Sequence, residues 1–128
     1  MKKKLLSVLS LSLVFAVIFS ICASAATPRW AYIGSISPGL DKYSDAYFVT
    51  VGCPTNVTKI EIELELYQKG ILGIYSKKDS GTKTIYATGG SLTCSYDMDT
   101  NKTYRVDATV TVTTSSGQTE TATVSHEG

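Results

Sequence analysis

From Thr58 to Tyr67 the chain alternates without a break: Ile60, Ile62, Leu64 and Leu66 take every second position, and Lys59, Glu61, Glu63 and Glu65 fill the positions between. A period of two sends the two sets to opposite faces of an extended strand, whereas a helix would scatter both around its circumference. The segment reads as a strand with one face in a core and the other in water, despite the good helix propensity of Glu and Leu. Residues 103 to 113 repeat the pattern, with Tyr104, Val106, Ala108, Val110 and Val112 on one side and Arg105, Asp107, Thr109 and Thr111 on the other. In residues 45 to 53, Tyr47, Val49, Val51 and Cys53 share a face in the same way.

Between these anchors, β-branched and aromatic residues alternate with turn residues. A first strand is expected over residues 30 to 36, stopped by the turn tripeptide Ser37-Pro38-Gly39. A turn near Lys69-Gly70 leads into a short strand at 71 to 77, and Lys78-Asp79-Ser80-Gly81 forms the next turn. Residues 82 to 96 form a long strand interrupted at Gly89-Gly90, with Leu92 and Cys94 facing the same way. Ser115-Ser116-Gly117-Gln118 makes the last hairpin, and residues 119 to 125 close the sheet with Ala122 and Val124 facing inward. Seven short strands in about 100 residues predict an all-β, seven-stranded, two-sheet sandwich.

Ahead of the strands, residues 1 to 25 have three parts: a basic start at Met1-Lys2-Lys3-Lys4, an apolar run from Leu5 to Ile21 broken only by serines, and Ala23-Ser24-Ala25. This is the layout of a secretory signal peptide cleaved after Ala25, which leaves residues 26 to 128 as one domain. The apolar run, about 17 residues, is at the short limit for a membrane span. Ile21 stands before Cys22 where lipidation requires a small residue. The expected product is secreted, extracellular and without a stable membrane anchor.

The whole chain carries 12 Lys and Arg against 11 Asp and Glu, and removing Lys2, Lys3 and Lys4 leaves a domain with a formal charge of −2. Such a surface releases few counterions from a phosphate backbone, which argues against nucleic acid or an anionic membrane as the main partner. Cys53 and Cys94 are the only cysteines beyond the leader. In an exported chain one disulfide is the economical expectation, and closing a loop of about 42 residues stabilises a fold by roughly 4 kcal/mol. The alternatives are two free thiols or a metal pair; two cysteines with the single His126 do not complete a tetrahedral site, so no metal or cofactor is expected.

Enzyme chemistry is poorly provided for. A Ser-His-Asp site would depend on His126, third from the end of the sequence. Glu61, Glu63 and Glu65 run along one face of one strand at about 6 to 7 Å intervals, the arrangement of a solvated charge row more than of a two-carboxylate cleft. Asp97-Met98-Asp99-Thr100-Asn101 opens like a calcium loop, but Lys102 and Ala108 stand where that loop requires Gly and a bidentate Glu. Turn geometry alone accounts for its Asp and Asn. Asn56-Val57-Thr58 and Asn101-Lys102-Thr103 are glycosylation acceptors only in a eukaryotic secretory pathway. No enzyme is expected.

The eight Tyr and one Trp are the suggestive excess. Tyr47, Tyr96 and Tyr104 belong to the core faces, while Trp30, Tyr32, Tyr43, Tyr67, Tyr75 and Tyr86 exceed what the core needs. Trp30, Tyr32 and Tyr75 are the candidate binding residues, since rings on a sheet face stack on sugars or anchor protein interfaces. The alternative is that they fill cross-strand pairs at the rim.

The stretch Met98-Asp99-Thr100-Asn101-Lys102-Thr103-Tyr104-Arg105-Val106-Asp107-Ala108 resembles the turn and following strand of fibronectin type III and related immunoglobulin-like domains. The resemblance implies that Tyr104 is a corner tyrosine, its ring packed inward and its hydroxyl bonded to backbone upstream. Cys94 lies ten residues before Tyr104 instead of two after it, so the expected Cys53–Cys94 bridge would join the second strand to the fifth within one sheet. The only Trp also stands at the start of the first strand. From Pro28-Arg29-Trp30-Ala31-Tyr32-Ile33 through Gly39-Leu40 the chain also resembles short exported proteins of Firmicutes, a bacterial likeness that carries no activity.

These readings converge on a secreted, non-catalytic binding module for an extracellular protein or a cell-wall glycan. A self-assembling structural surface protein, paired through the Thr119, Thr121 and Thr123 edge, is the alternative. A small secreted hydrolase or toxin is a remote third.

Overall fold

The computed structural model describes residues 30–128. The leader, Cys22 and the cleavage point after Ala25 lie outside the described residues. Seven strands follow one another: β1 (Ser35–Asp41), β2 (Ala46–Gly52), β3 (Val57–Lys69), β4 (Tyr75–Ile85), β5 (Gly89–Ser95), β6 (Tyr104–Thr114) and β7 (Thr119–Glu127). They form two antiparallel sheets, a three-stranded one ordered β1-β2-β5 and a four-stranded one ordered β4-β3-β6-β7. Among the described residues no helix is long and apolar enough to cross a membrane.

The alternating segments behave as the period of two requires. Ile60, Leu64 and Leu66 of β3 and Val106, Ala108, Val110 and Val112 of β6 are fully buried, meeting Tyr47 and Val49 of β2 across the sandwich. Burying one such side chain stabilises a fold by about 1.5 to 3 kcal/mol, so this inner layer is the main driving force. Glu61, Glu63 and Glu65 line the outer face of β3, where Lys59 pairs with Glu61 at 2.8 Å and Lys77 with Glu65 at 3.1 Å. Tyr104 is 1% exposed, and its hydroxyl accepts the backbone N–H of Asp99 at 2.8 Å. The loop before it is a turn: the Asp99 carboxylate accepts the Asn101 N–H at 2.9 Å, and the Asp45 carboxylate accepts that of Met98 at 3.0 Å.

Three expectations are corrected. The first strand is not residues 30 to 36; it starts at Ser35 and runs through Ser37-Pro38-Gly39, with Pro38 opposite Val49 and Gly39 opposite Phe48. Pro is tolerated because β1 is an edge strand, and a Cβ at Gly39 would come within 2.7 Å of the Phe48 ring that lies across it. The turn expected at Lys78-Asp79-Ser80-Gly81 is the middle of β4. Its turn-like residues answer the opposite sheet: Asp79 accepts the hydroxyl proton of buried Tyr47 at 2.6 Å, and a Cβ at Gly81 would stand 2.5 Å from the Cys94 sulfur. With Lys83 donating to the Ser91 carbonyl at 3.0 Å and Ile85 packed over Gly90, these contacts close the flank between β4 and β5.

The third correction is the disulfide: Cys53 and Cys94 are free. The two strands are neighbours, but their register sets the cysteines at opposite ends. Cys94 faces Tyr47 at the start of β2, while the Cys53 N–H donates to the Thr88 carbonyl at 2.8 Å past its end. Six residues of strand separate Thr88 from Cys94, roughly 20 Å, against the 4.4 to 6.8 Å between Cα atoms that a disulfide spans.

Candidate binding surface

Trp30, Tyr32 and Tyr75 do not come together. Residues 30 to 34 form a strap over one end of the sandwich, near the β6–β7 hairpin. The N–H groups of Ala31, Tyr32 and Ile33 all donate to the Glu120 carboxylate, at 2.9, 2.9 and 3.0 Å. Three donors converging on one carboxylate hold the strap in a single position. Ile33 is 3% exposed, Trp30 and Tyr32 pack partly buried against the core, and the Tyr32 hydroxyl donates to the Gln118 side chain. The strap also shields Cys53, whose thiol is pushed up by burial, with the Gly34 backbone opposing and Glu120 adding to the rise. Trp30 and Tyr32 thus serve closure.

Tyr75 stands at the other end. In the β6–β7 register, Thr113 opposite Thr119 marks the strap end and Arg105 opposite Glu127 the far one, eight residues or about 27 Å apart along β6. There Tyr75 joins a neighbour that sequence reasoning did not pair with it. The Arg105 guanidinium lies 4.6 Å from the ring centroid of Tyr67 and 4.7 Å from that of Tyr75. A guanidinium lying over two rings is attracted by both. Asp107 grips the same group, accepting from Nε at 3.0 Å and Nη2 at 3.3 Å, and accepts the Ser125 hydroxyl at 2.7 Å. The Tyr67 hydroxyl donates to Glu65 at 2.9 Å, and with Lys77 it holds the Glu65 carboxyl below its usual range. Apart from the Tyr75 hydroxyl, which is buried without a hydrogen-bond partner, the members answer one another, so the platform is largely set before any partner arrives.

Beyond the platform the β3–β4 hairpin projects. Its turn is closed by Gly70 N–H donating to the Ile74 carbonyl at 2.7 Å and Gly73 N–H to the Gly70 carbonyl at 3.2 Å. At its tip Ile71 is 90% exposed, Leu72 91% and Ile74 67%. Leu72 also has a φ of 68° and Gly73 one of 74°. The left-handed region costs a non-glycine residue roughly 1 to 2 kcal/mol. Three large aliphatic side chains therefore stand in water on a turn strained at its centre, and the fold gains nothing visible from them. Contiguous apolar exposure and local strain both mark interaction sites more often than structural ones. The strand expected over 71 to 77 concealed this tip, since Ile, Leu and Tyr in a row read as a pairing segment.

Midway along the outer face lies a shallow groove of about 240 Å³, lined by Glu61, Glu63, Thr82, Lys83, Thr84, Thr109 and Thr111 among others. Its hydroxyls partly pair with β7, Thr109 with Thr123 at 3.0 Å and Thr111 with Thr121 at 2.9 Å. Its walls are mostly charged and hydroxyl-bearing side chains and it lies open to solvent, a poor anchor beside the hairpin tip. The chain matches no family model, no curated protein and no solved structure.

Proposed function

We propose that this protein is a secreted, non-catalytic binding module whose contact surface is the β3–β4 hairpin tip and the Tyr67–Arg105–Tyr75 platform behind it, and that its partner is an extracellular protein. The observation that carries the reading is the exposure of Ile71, Leu72 and Ile74 on a strained turn. A projecting aliphatic tip fits an apolar pocket, and a tyrosine–arginine rim is the side-chain chemistry of protein hot spots. Moving three such side chains out of water is worth about 5 to 9 kcal/mol gross, before the cost of association. A flat aromatic shelf, which sugar stacking needs, is a weaker fit here, because the Arg105 guanidinium already lies over both rings.

The fold reading behind the proposal is an immunoglobulin-like sandwich of the fibronectin type III kind. The β1-β2-β5 and β4-β3-β6-β7 sheets and the Tyr104 hydroxyl bonded five residues upstream support it. Secretion is supported by the three-part leader in residues 1 to 25.

A photo-crosslinking amino acid at position 72, with a second version at Thr50 on the outer face of the other sheet, tests the surface. Exposed to the surface proteins of the producing cell, the position-72 protein should give a discrete heavier adduct and the position-50 protein none. Equal labelling from both positions, or none from position 72, would sink the proposal.

A further inference from the structure

The two sheets end in four edges, and three are blunted. β4 carries Lys77, Lys78 and Lys83, and its register with β3 shifts at Leu66/Tyr67. β1 carries Pro38. β5 has 7 residues, opens on Gly89-Gly90, and lies against β4 along the closed flank. Lysine, proline, bulges, shortness and cover are the devices that keep strand edges from pairing. β7 lacks most of them: Thr119–Glu127 contains no Pro, Gly or Lys and pairs with β6 over nine residues without a shift, although β1 packs alongside it and Glu120 lies on its inner face.

Hydrogen-bond parity tells which groups of β7 are unused. Tyr104 and Gly128 exchange both backbone bonds, at 2.9 and 3.0 Å, and the Thr114 N–H donates to the Gln118 carbonyl at 2.8 Å. The even-numbered residues of β7 therefore face β6, and the N–H and C=O groups of Thr119, Thr121, Thr123, Ser125 and Glu127 point away from it. Among the described residues no backbone group pairs with them. The strap's hydrogen bonds in this region go to the Glu120 side chain and to Gln118, which precedes β7, and none takes a backbone group of the strand.

We propose that this edge pairs antiparallel with the same edge of a second copy, about a twofold axis through Thr123, joining two four-stranded sheets into one. The centre of the strand and the parity agree on that axis. Thr123 then faces its own counterpart, Thr121 faces Ser125 and Thr119 faces Glu127, so each of the five outward residues exchanges both backbone bonds. The side chains match as well. Hydroxyl meets hydroxyl at the centre of the outer face; on the inner face Ala122 meets Val124 and Glu120 meets His126. Cross-strand pairs of these kinds stabilise a sheet, and no pair opposes like charges. The axis stands across the sheet, so the two hairpin tips point to opposite ends and the dimer offers two contact surfaces. The inference is independent of what the tip binds.

Sedimentation equilibrium of the purified protein over a concentration series reads the association directly. The mass should rise from that of one chain to that of two. Thr123→Lys, which sets like charges against each other on the axis, should weaken association about fivefold, the effect expected of a like-charge cross-strand pair. In a second test Thr123→Cys should cross-link to a dimer on mild oxidation, because facing hydrogen-bonded residues have Cα atoms about 5.5 Å apart. Thr119→Cys, far from its counterpart, should not. A single-chain mass at every concentration, or a dimer that Thr123→Lys leaves untouched and Thr119→Cys captures equally fast, overturns the proposal.

Discussion

Residues 30 to 33 and residues 71 to 74 are alike on paper, Trp-Ala-Tyr-Ile and Ile-Leu-Gly-Ile, and both read as the start of a strand. Neither becomes one. The first is folded over the end of the sandwich, with Ile33 at 3% exposure and three backbone donors on Glu120. The second stands in water, with Leu72 at 91% exposure in a left-handed turn. The same chain thus has the means to cover an apolar stretch and leaves one uncovered. A carboxylate placed on β7 makes the difference at the strap; at the hairpin no such group receives the turn. Solitary exposed rings such as Tyr86 are ordinary, but three adjoining aliphatics on one turn are not.

If closure belongs to the strap, breaking it should be costly. Ile33→Ala should lower the unfolding free energy by about 3 kcal/mol, the usual cost of truncating a buried aliphatic side chain. Glu120→Ala should cost about 2 kcal/mol, since three backbone donors lose one shared acceptor. Chemical denaturation measures both, and a shift under half of either value would mean that the strap is held by something other than these contacts.

A subtler contrast concerns Cys53. Burial raises its thiol, so near neutral pH the reactive thiolate is scarce in the folded protein and alkylation is slow. The sign follows from the raised folded value: the protonated thiol is favoured by folding, and reactivity appears only as pH rises toward the folded pKa. Glu120→Ala should release the strap and speed alkylation of Cys53, whereas Leu72→Gly should not. Mass spectrometry of the alkylated peptide distinguishes the two variants, and also tests for the free thiol that the β2–β5 register requires.

The same comparison shows how much of the molecule was legible. β6 was plain because one face of it is buried along its whole length, and β3 because the same holds from Ile60 to Leu66, which forces strict alternation there. β1 and β4 were misplaced because edge strands need only one paired side and part of one buried face. Pro38 and Gly39, or Asp79 and Gly81, can then sit inside them for reasons supplied by the opposite strand or sheet. The cysteine spacing gave the right pair of strands and no register, and register is what separates Cys53 from Cys94. Of the candidate binding residues, Tyr75 lies at the surface proposed, while Trp30 and Tyr32 lie in the strap. Ile71, Leu72 and Ile74 were missed because hydrophobicity alone does not tell a buried aliphatic residue from one left out; Gly70 and Gly73 on either side were the available hint.

The most direct measurement takes Leu72→Gly combined with Ile71→Ser and Ile74→Ser, and follows its thermal unfolding and its retention by surface proteins of the producing cell beside the unaltered protein. Glycine removes the left-handed strain at position 72, and serine at 71 and 74 removes exposed aliphatic surface only. The account predicts an unfolding midpoint equal to or above the original and retention lost. A midpoint several degrees lower, or retention unchanged, would contradict it, because the tip would then belong to the fold or play no part in binding.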